Sequence, residues 1–236
     1  MKFILSFLLL TFSFSQKSVD KNYLLGRFDP SIESGFIQLN AVYAKGNALN
    51  RFLRKETFEA FKRMSEAAKK DGVKLIIVSA TRNFDYQKKI WEDKWNGKVK
   101  VGNKDLTTIA DFNERARLIL LYSAMPGTSR HHWGTDIDIN ETETEYFETD
   151  EGKKVYQWLT AHANEYGFCQ PYTSKANGRT GYEEEKWHWS YMPLSKILLA
   201  EYKNQIRFEE INGFAGSETA NALRIIENYV DGIACR

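Results

Sequence analysis

Ser129-Arg130-His131-His132-Trp133-Gly134-Thr135-Asp136-Ile137-Asp138 is the stretch around which the chain is organised. Gly134 separates a pair of imidazoles from a pair of carboxylates. Beyond it the residues alternate, with Asp136, Asp138 and Asn140 on one side and Ile137 and Ile139 on the other. A period of two marks a half-buried strand, here one presenting its carboxylates to a cleft. A second short stretch, Glu185-Lys186-Trp187-His188, opens a further strand over 186–191 and adds one more imidazole and one more carboxylate.

Working outward, the spacing predicts helices on either side of these strands. Phe58, Phe61, Met64 and Ala68 recur at helical spacing over 55–70, and Gly72 is placed to end that helix. Residues 73–80 are apolar and rich in β-branched side chains, as in a buried strand. Ser79-Ala80-Thr81-Arg82-Asn83-Phe84-Asp85-Tyr86-Gln87 then leads into a helix over 84–95, with Arg82 at the strand end. There its planar fork can grip a carboxylate or steady an oxyanion. A helix over 107–124 is expected from Ile109, Phe112, Ala116, Ile119 and Leu120, stopped by Pro126-Gly127. Another over 151–166 carries Val155, Trp158, Leu159 and Tyr166 as its stripe. Residues 168–182 read as a loop, and 193–232 as two helical segments broken near Asn212-Gly213. The fold class is α+β, a small antiparallel sheet carrying the site and flanked by helices.

The chain has 236 residues and a formal net charge of +2, with both signs mixed along it. Nothing resembles a nucleic-acid stripe or a polybasic membrane patch, which argues against a metal nuclease. Residues 1–15 read as a signal peptide: Lys2 is the positive end, Phe3 to Phe14 the apolar run, and Ser13 and Ser15 the small residues before cleavage at Gln16. No cysteine follows that run, so a lipoprotein is not expected. No stable membrane insertion is expected after cleavage, and the mature protein should be exported, either periplasmic or secreted. Residues 16–54 form a lead-in without strong period, 55–192 the core, and 193–236 a helical extension packed on it. The only cysteines, Cys169 and Cys235, are free to pair in an oxidising compartment or to remain unrelated thiols.

A catalytic zinc usually takes three ligands from His, Asp, Glu and Cys and keeps one position open. His131 and His132 are adjacent, so their side chains diverge; one suits a ligand and the other a neighbour. Asp136 and Asp138 point the same way and compete for the same assignment. His162 lies at helical spacing from Trp158 and reads as a core or boundary histidine. Glu185, three residues before His188, can stand near the metal without binding it and take a proton from water.

These residues carry a resemblance. Ser129-x-His131-x-x-Gly134-x-x-x-Asp138 followed by Glu185-x-Trp187-His188 resembles the signature of the D-alanyl-D-alanine carboxypeptidase family of zinc peptidases, which includes the vancomycin-resistance D,D-peptidases. The segment from Ser79 to Gln87 is similar to the family's stretch around its active-site arginine, and the likeness covers roughly 55–192. It implies Zn2+ held by His131, Asp138 and His188, and Glu185 as catalytic base and acid. Arg82 would stabilise the tetrahedral intermediate or hold the substrate carboxylate. Ser129, Gln87 and Trp187 would contact the substrate, a peptidoglycan stem peptide. Two positions depart from the pattern: Asp136 stands where a small residue is usual, and Lys186 where proline is common. A peptidoglycan endopeptidase of the same family is an alternative reading. So is a zinc-bearing module that binds wall peptides without cutting, since the hedgehog signalling domains are similar folds with a zinc site.

Overall fold

The computed structural model of the chain describes residues 18–235; the expected signal segment lies outside them. Among the described residues the α-helices are, in chain order, α1 (Lys21–Leu24), α2 (Lys55–Lys70), α3 (Phe84–Trp95), α4 (Phe112–Ile119), α5 (Asp150–His162), α6 (Met192–Gln205) and α7 (Thr219–Ala222). The strands are β1 (Phe36–Gln38), β2 (Phe52–Arg54), β3 (Ile77–Ser79), β4 (Asp136–Ile139), β5 (Phe168–Cys169) and β6 (His188–Tyr191). β1 and β2 make an antiparallel hairpin, and the other four form one antiparallel sheet in the order β3-β4-β6-β5. The architecture is α+β, as the periodicity predicts. No described helix is long and apolar enough to cross a membrane.

Alternation along β4 and β6 divides the sheet into two faces. Ile137, Ile139 and Trp189 face a core built with Phe58, Phe61 and Met64 of α2 and Val155 and Leu159 of α5. The residues between them, Asp136, Asp138, His188 and Ser190, therefore face the opposite way. A second core assembles α1, α3, α4, α6 and the C-terminal segment around Trp91, Trp133 and Tyr202. The site lies on this side of the sheet.

Several elements differ from the sequence expectation. The helix expected over 107–124 is a 3-10 turn, Leu106–Thr108, and then the eight-residue α4. Asp105 and Asp111 each cap a new start by accepting backbone N–H groups, so one apolar stripe is cut into two turns. Phe112, expected on the apolar side, is exposed. Only Ile77–Ser79 of the stretch 73–80 pairs as strand. Its first part is held instead by Asn140, whose side chain accepts from Ile76 N (2.9 Å) and donates to Lys74 O (2.8 Å). The expected loop 168–182 contains β5, a two-residue strand too short for any period to reveal.

The lead-in braces the central stretch. Tyr23 donates to Trp133 O (2.6 Å), and the Trp133 indole donates to Leu24 O (3.1 Å). Gly134 holds a left-handed φ of 71°, and a Cβ there would lie 2.5 Å from the ring of Phe36. Glycine is therefore required on both counts. At the other end, Cys169 and Cys235 form a disulfide that ties the C-terminus to β5.

That bond closes a loop of 66 residues in sequence separation. Replacing both cysteines by Ala should lower unfolding stability by about 2–5 kcal/mol, through a freer unfolded chain. Denaturant titration of the variant beside the oxidised protein measures it; an unchanged midpoint would mean the bridge contributes nothing.

Candidate metal centre

The register of β4 and β6 builds the centre. Asp138 pairs directly with His188 and Asp136 with Ser190, so all four side chains share one face. His131 comes from the 3-10 turn Arg130–Trp133, which Gly134 ends in its left-handed conformation. The ligand atoms of His131, Asp138 and His188 converge to within 4.8 Å of one another, and all three residues are buried. His131 Nε2 lies 3.3 Å and His188 Nδ1 3.2 Å from Asp138 Oδ1. A tetrahedral zinc with bonds of about 2.0–2.1 Å spaces its ligand atoms by roughly 3.3 Å.

Hydrogen bonds separate the two imidazoles of the adjacent pair. His132 Nδ1 bonds to Arg82 O (2.5 Å), and its Nε2 accepts from Gly127 N (3.0 Å), so both nitrogens are occupied. His131 uses only Nδ1, toward Ala80 O (3.0 Å), which leaves Nε2 a buried atom without a hydrogen-bond partner. The carboxylates divide the same way. Asp136 accepts four hydrogen bonds, from Arg130, His188, Thr135 and Ser190, at 2.8–2.9 Å. Asp138 Oδ1 is a buried oxygen with no such partner. Two orphaned atoms facing each other across 3.3 Å are a donor set that a cation fits.

The electrostatics agree. Burial, reinforced by the Arg82 guanidinium, lowers His131 to about 4, so its imidazole is neutral and free to ligate. Burial likewise lowers His132 to about 3. Burial opposes a charge on His188, but Asp136, Asp138 and Glu185 together raise it well above the usual imidazole range. A divalent cation entering beside it would displace that proton. Burial raises the carboxyl of Glu185 despite its contact with His188; Glu185 Oε2 lies 3.3 Å from His188 Nδ1.

The remaining candidates surround this cluster. Arg82 stands between β3 and α3, with Asn83 capping the helix behind it. Its Nε is buried without a partner, and it lines a cavity of about 410 Å³ with Lys45, Asn47, Tyr86, Glu141 and Asp138. Ser129 is buried at the start of the 3-10 turn, and its side chain caps none of the turn's N–H groups. Gln87 is buried and donates to Ala124 O (2.8 Å), joining α3 to the loop before Ser129. Trp187 packs between Phe147 and Tyr122. His162 lies at the boundary, against Trp158 and bonded to Glu165. Lys94, which no spacing argument singled out, is largely buried and donates to Ser123 Oγ (2.5 Å). Burial, then the charge of Arg82, lowers its pKa. Its signal was its place two helical turns beyond Gln87 and one beyond Trp91, on the face of α3 that turns inward.

Comparison with known proteins first identifies the class: the fold is shared with solved carboxypeptidase and D,D-peptidase structures. The LD-carboxypeptidase LdcB matches at 25% identity over 79% of this chain and 81% of its own, with a TM-score of 0.54. A mutant of the vancomycin resistance D,D-pentapeptidase VanY in complex with Zn(II) shares the fold at 23% identity, covering 76% of this chain and 90% of that one, with a TM-score of 0.52. The chain belongs to the VanY D-alanyl-D-alanine carboxypeptidase family, whose model matches residues 50–194. Among curated relatives, YodJ of Bacillus subtilis, whose name assigns it provisionally to the carboxypeptidases, is 30% identical over 81% of this chain. A D-alanyl-D-alanine carboxypeptidase of Enterococcus faecalis is 29% identical over 59% of it. The chain spans 64% and 51% of the length of these two relatives, less than two thirds of either.

The two histidines should part experimentally. His131→Ala should abolish stoichiometric zinc uptake while leaving the fold intact. His132→Ala strands the Arg82 carbonyl and the Gly127 N–H, and should cost on the order of 2–4 kcal/mol in stability. Its folded fraction should still take up zinc. Metal analysis after gel filtration, with thermal melts, reads both; loss of zinc from the second variant at full stability would reverse the assignment.

Proposed function

We propose that the protein is a zinc-dependent D-alanyl-D-alanine carboxypeptidase acting on peptidoglycan stem peptides outside the cytoplasm. One observation carries the reading: two orphaned buried atoms, His131 Nε2 and Asp138 Oδ1, converge with His188 Nδ1 beside the carboxylate of Glu185. In this reading His131, Asp138 and His188 hold the metal. Zinc, when bound, supplies Lewis-acid polarisation of the scissile carbonyl and lowers the pKa of water.

The chain's own groups do the rest. Glu185, with a carboxyl raised by burial, takes the proton from the attacking water and returns it to the leaving amine. Arg82, whose Nε has no protein partner, faces the negative charge that develops on the carbonyl oxygen. Its half-buried setting, with Nε itself buried, strengthens that interaction over what water would allow. Ser129, Gln87 and Trp187 shape the binding surface.

Terminal rather than internal cleavage is favoured by charge. Among the described residues, neither Arg82 nor Lys94 has a carboxylate within salt-bridge distance, and Lys94 is held only by the neutral Ser123 hydroxyl. Arg82 at the cavity, with the charge of Lys94 felt alongside it, suits the free carboxylate of a peptide end. The likeness to an LD-carboxypeptidase supports a second reading, in which the same site removes the terminal residue of a tetrapeptide.

Mass spectrometry of muropeptides incubated with the zinc-loaded protein tests this, with Glu185→Gln as control. Loss of one terminal Ala from pentapeptides is expected, and should fall by about 10²–10⁴-fold in the control. Shortening of tetrapeptides alone would establish the second reading. Cleavage only at internal or cross-link bonds would replace both by an endopeptidase, and intact peptides despite bound zinc would leave a binding module.

A further inference from the structure

Asp136 occupies the position where the family resemblance calls for a small residue, and an uncompensated carboxylate buried there would be costly. It is fully buried and bonded on every side. Oδ2 accepts from Arg130 Nε and from His188 Nε2, both at 2.9 Å. Oδ1 accepts from Thr135 Oγ1 (2.8 Å) and Ser190 Oγ (2.9 Å). A carboxylate offers about four lone-pair sites, so none remains for a metal. Arg130 is equally buried, donates a second bond to Ser190 Oγ (2.6 Å) and lies over the ring of Trp133. Ser190 in turn bonds to Ser195 on α6.

We infer that Asp136 is a positioning residue for the metal, fixing His188 through its far nitrogen, with Arg130 as its dedicated counter-ion. The inference rests on the zinc reading above. The geometry is that of a carboxylate–histidine–metal relay. With the proton of His188 held on Nε2 by Asp136, the lone pair is left on Nδ1, the atom 3.2 Å from Asp138 Oδ1. The ring also loses its freedom to turn, because one edge is anchored. His131 is oriented by a different device, the neutral carbonyl of Ala80. The two imidazoles thus differ in basicity, and His188 is the stronger donor. Arg130 cancels the charge of Asp136 inside the protein, so Asp138 remains the ligand carboxylate that meets the cation.

A bare structural role for the Arg130–Asp136 pair predicts something else. If Asp136 served only to neutralise Arg130, removing both charges together would leave zinc binding untouched. Asp136→Ala alone strands Arg130 and is expected to fold poorly, so the informative proteins are Arg130→Met/Asp136→Ala and Arg130→Met/Asp136→Asn. The first removes the pair and the acceptor for His188; the second removes the pair but keeps an amide oxygen for it. Zinc affinity is read by competition with a chromophoric chelator, on protein shown to be folded by its thermal transition. The first double variant should bind zinc about 10–100-fold more weakly than wild type. The second should recover a clear part of that loss. Wild-type affinity in the first variant, or equal weakening in both, would overturn the inference and leave the zinc reading standing. A wild-type protein that takes up no zinc would overturn both.

Discussion

Across the middle of the sheet Asp138 stands opposite His188 and Asp136 opposite Ser190, while Ile137 and Trp189 fill the other face. Period two makes these placements inseparable. A slip of one residue between β4 and β6 would turn the carboxylates into the core under α2 and α5, and the isoleucines toward the site. The apolar face thus enforces the register, and the register places the chemical groups. His131 depends on the same arrangement from outside the strand. Its turn ends at Gly134, whose carbonyl is tied to Arg54 N (3.0 Å) on β2, and Phe36 of the same hairpin closes the space beside it.

Burying this many polar groups is tolerable because most are satisfied, and among the described atoms that are not, His131 Nε2 and Asp138 Oδ1 face each other. His132 and Asp136 have spent their hydrogen-bonding capacity within the protein. They stiffen the frame: His132 joins the Arg82 carbonyl to the Gly127 amide, and Asp136 joins β4, β6 and Arg130. A Cβ on Gly26 would collide with the His132 ring at 2.4 Å, so the N-terminal segment is moulded around that imidazole. The unspent atoms of His131 and Asp138 form the concave face of the site. Such a division concentrates the desolvation penalty where a cation can offset it.

Fold and helical extension serve this frame from both sides. Trp133 sits in the core formed with α6 and the C-terminal segment, and Tyr202 of α6 donates to Gly127 O (2.8 Å), the residue whose amide holds His132. The disulfide from β5 to Cys235 binds the end of the chain to the sheet edge. The cavity beside Arg82 and Asp138 is lined by none of these supports. Rigid elements therefore hold the candidate groups, an arrangement that would suit preorganised catalysis.

Much of this was legible beforehand, and the limits have physical causes. Alternation over 136–140 and the stripes of α2 and α5 announced the sheet and its covering helices, because one buried face imposes one period. Asp105 and Asp111 cut a continuous apolar pattern into two turns, a local capping effect that outweighs periodicity. β5 was too short to show any period, and the bracing by Tyr23, Gly26 and Phe36 is a matter of long-range packing. Covalent order alone determined that a pair of imidazoles and a pair of carboxylates would flank a glycine, with a glutamate three residues before a third imidazole. Which member of each pair keeps a free lone pair was decided only by tertiary structure. That choice depends on partners brought from elsewhere: Arg82 and Gly127 for His132, and His188 and Ser190 across the sheet for Asp136.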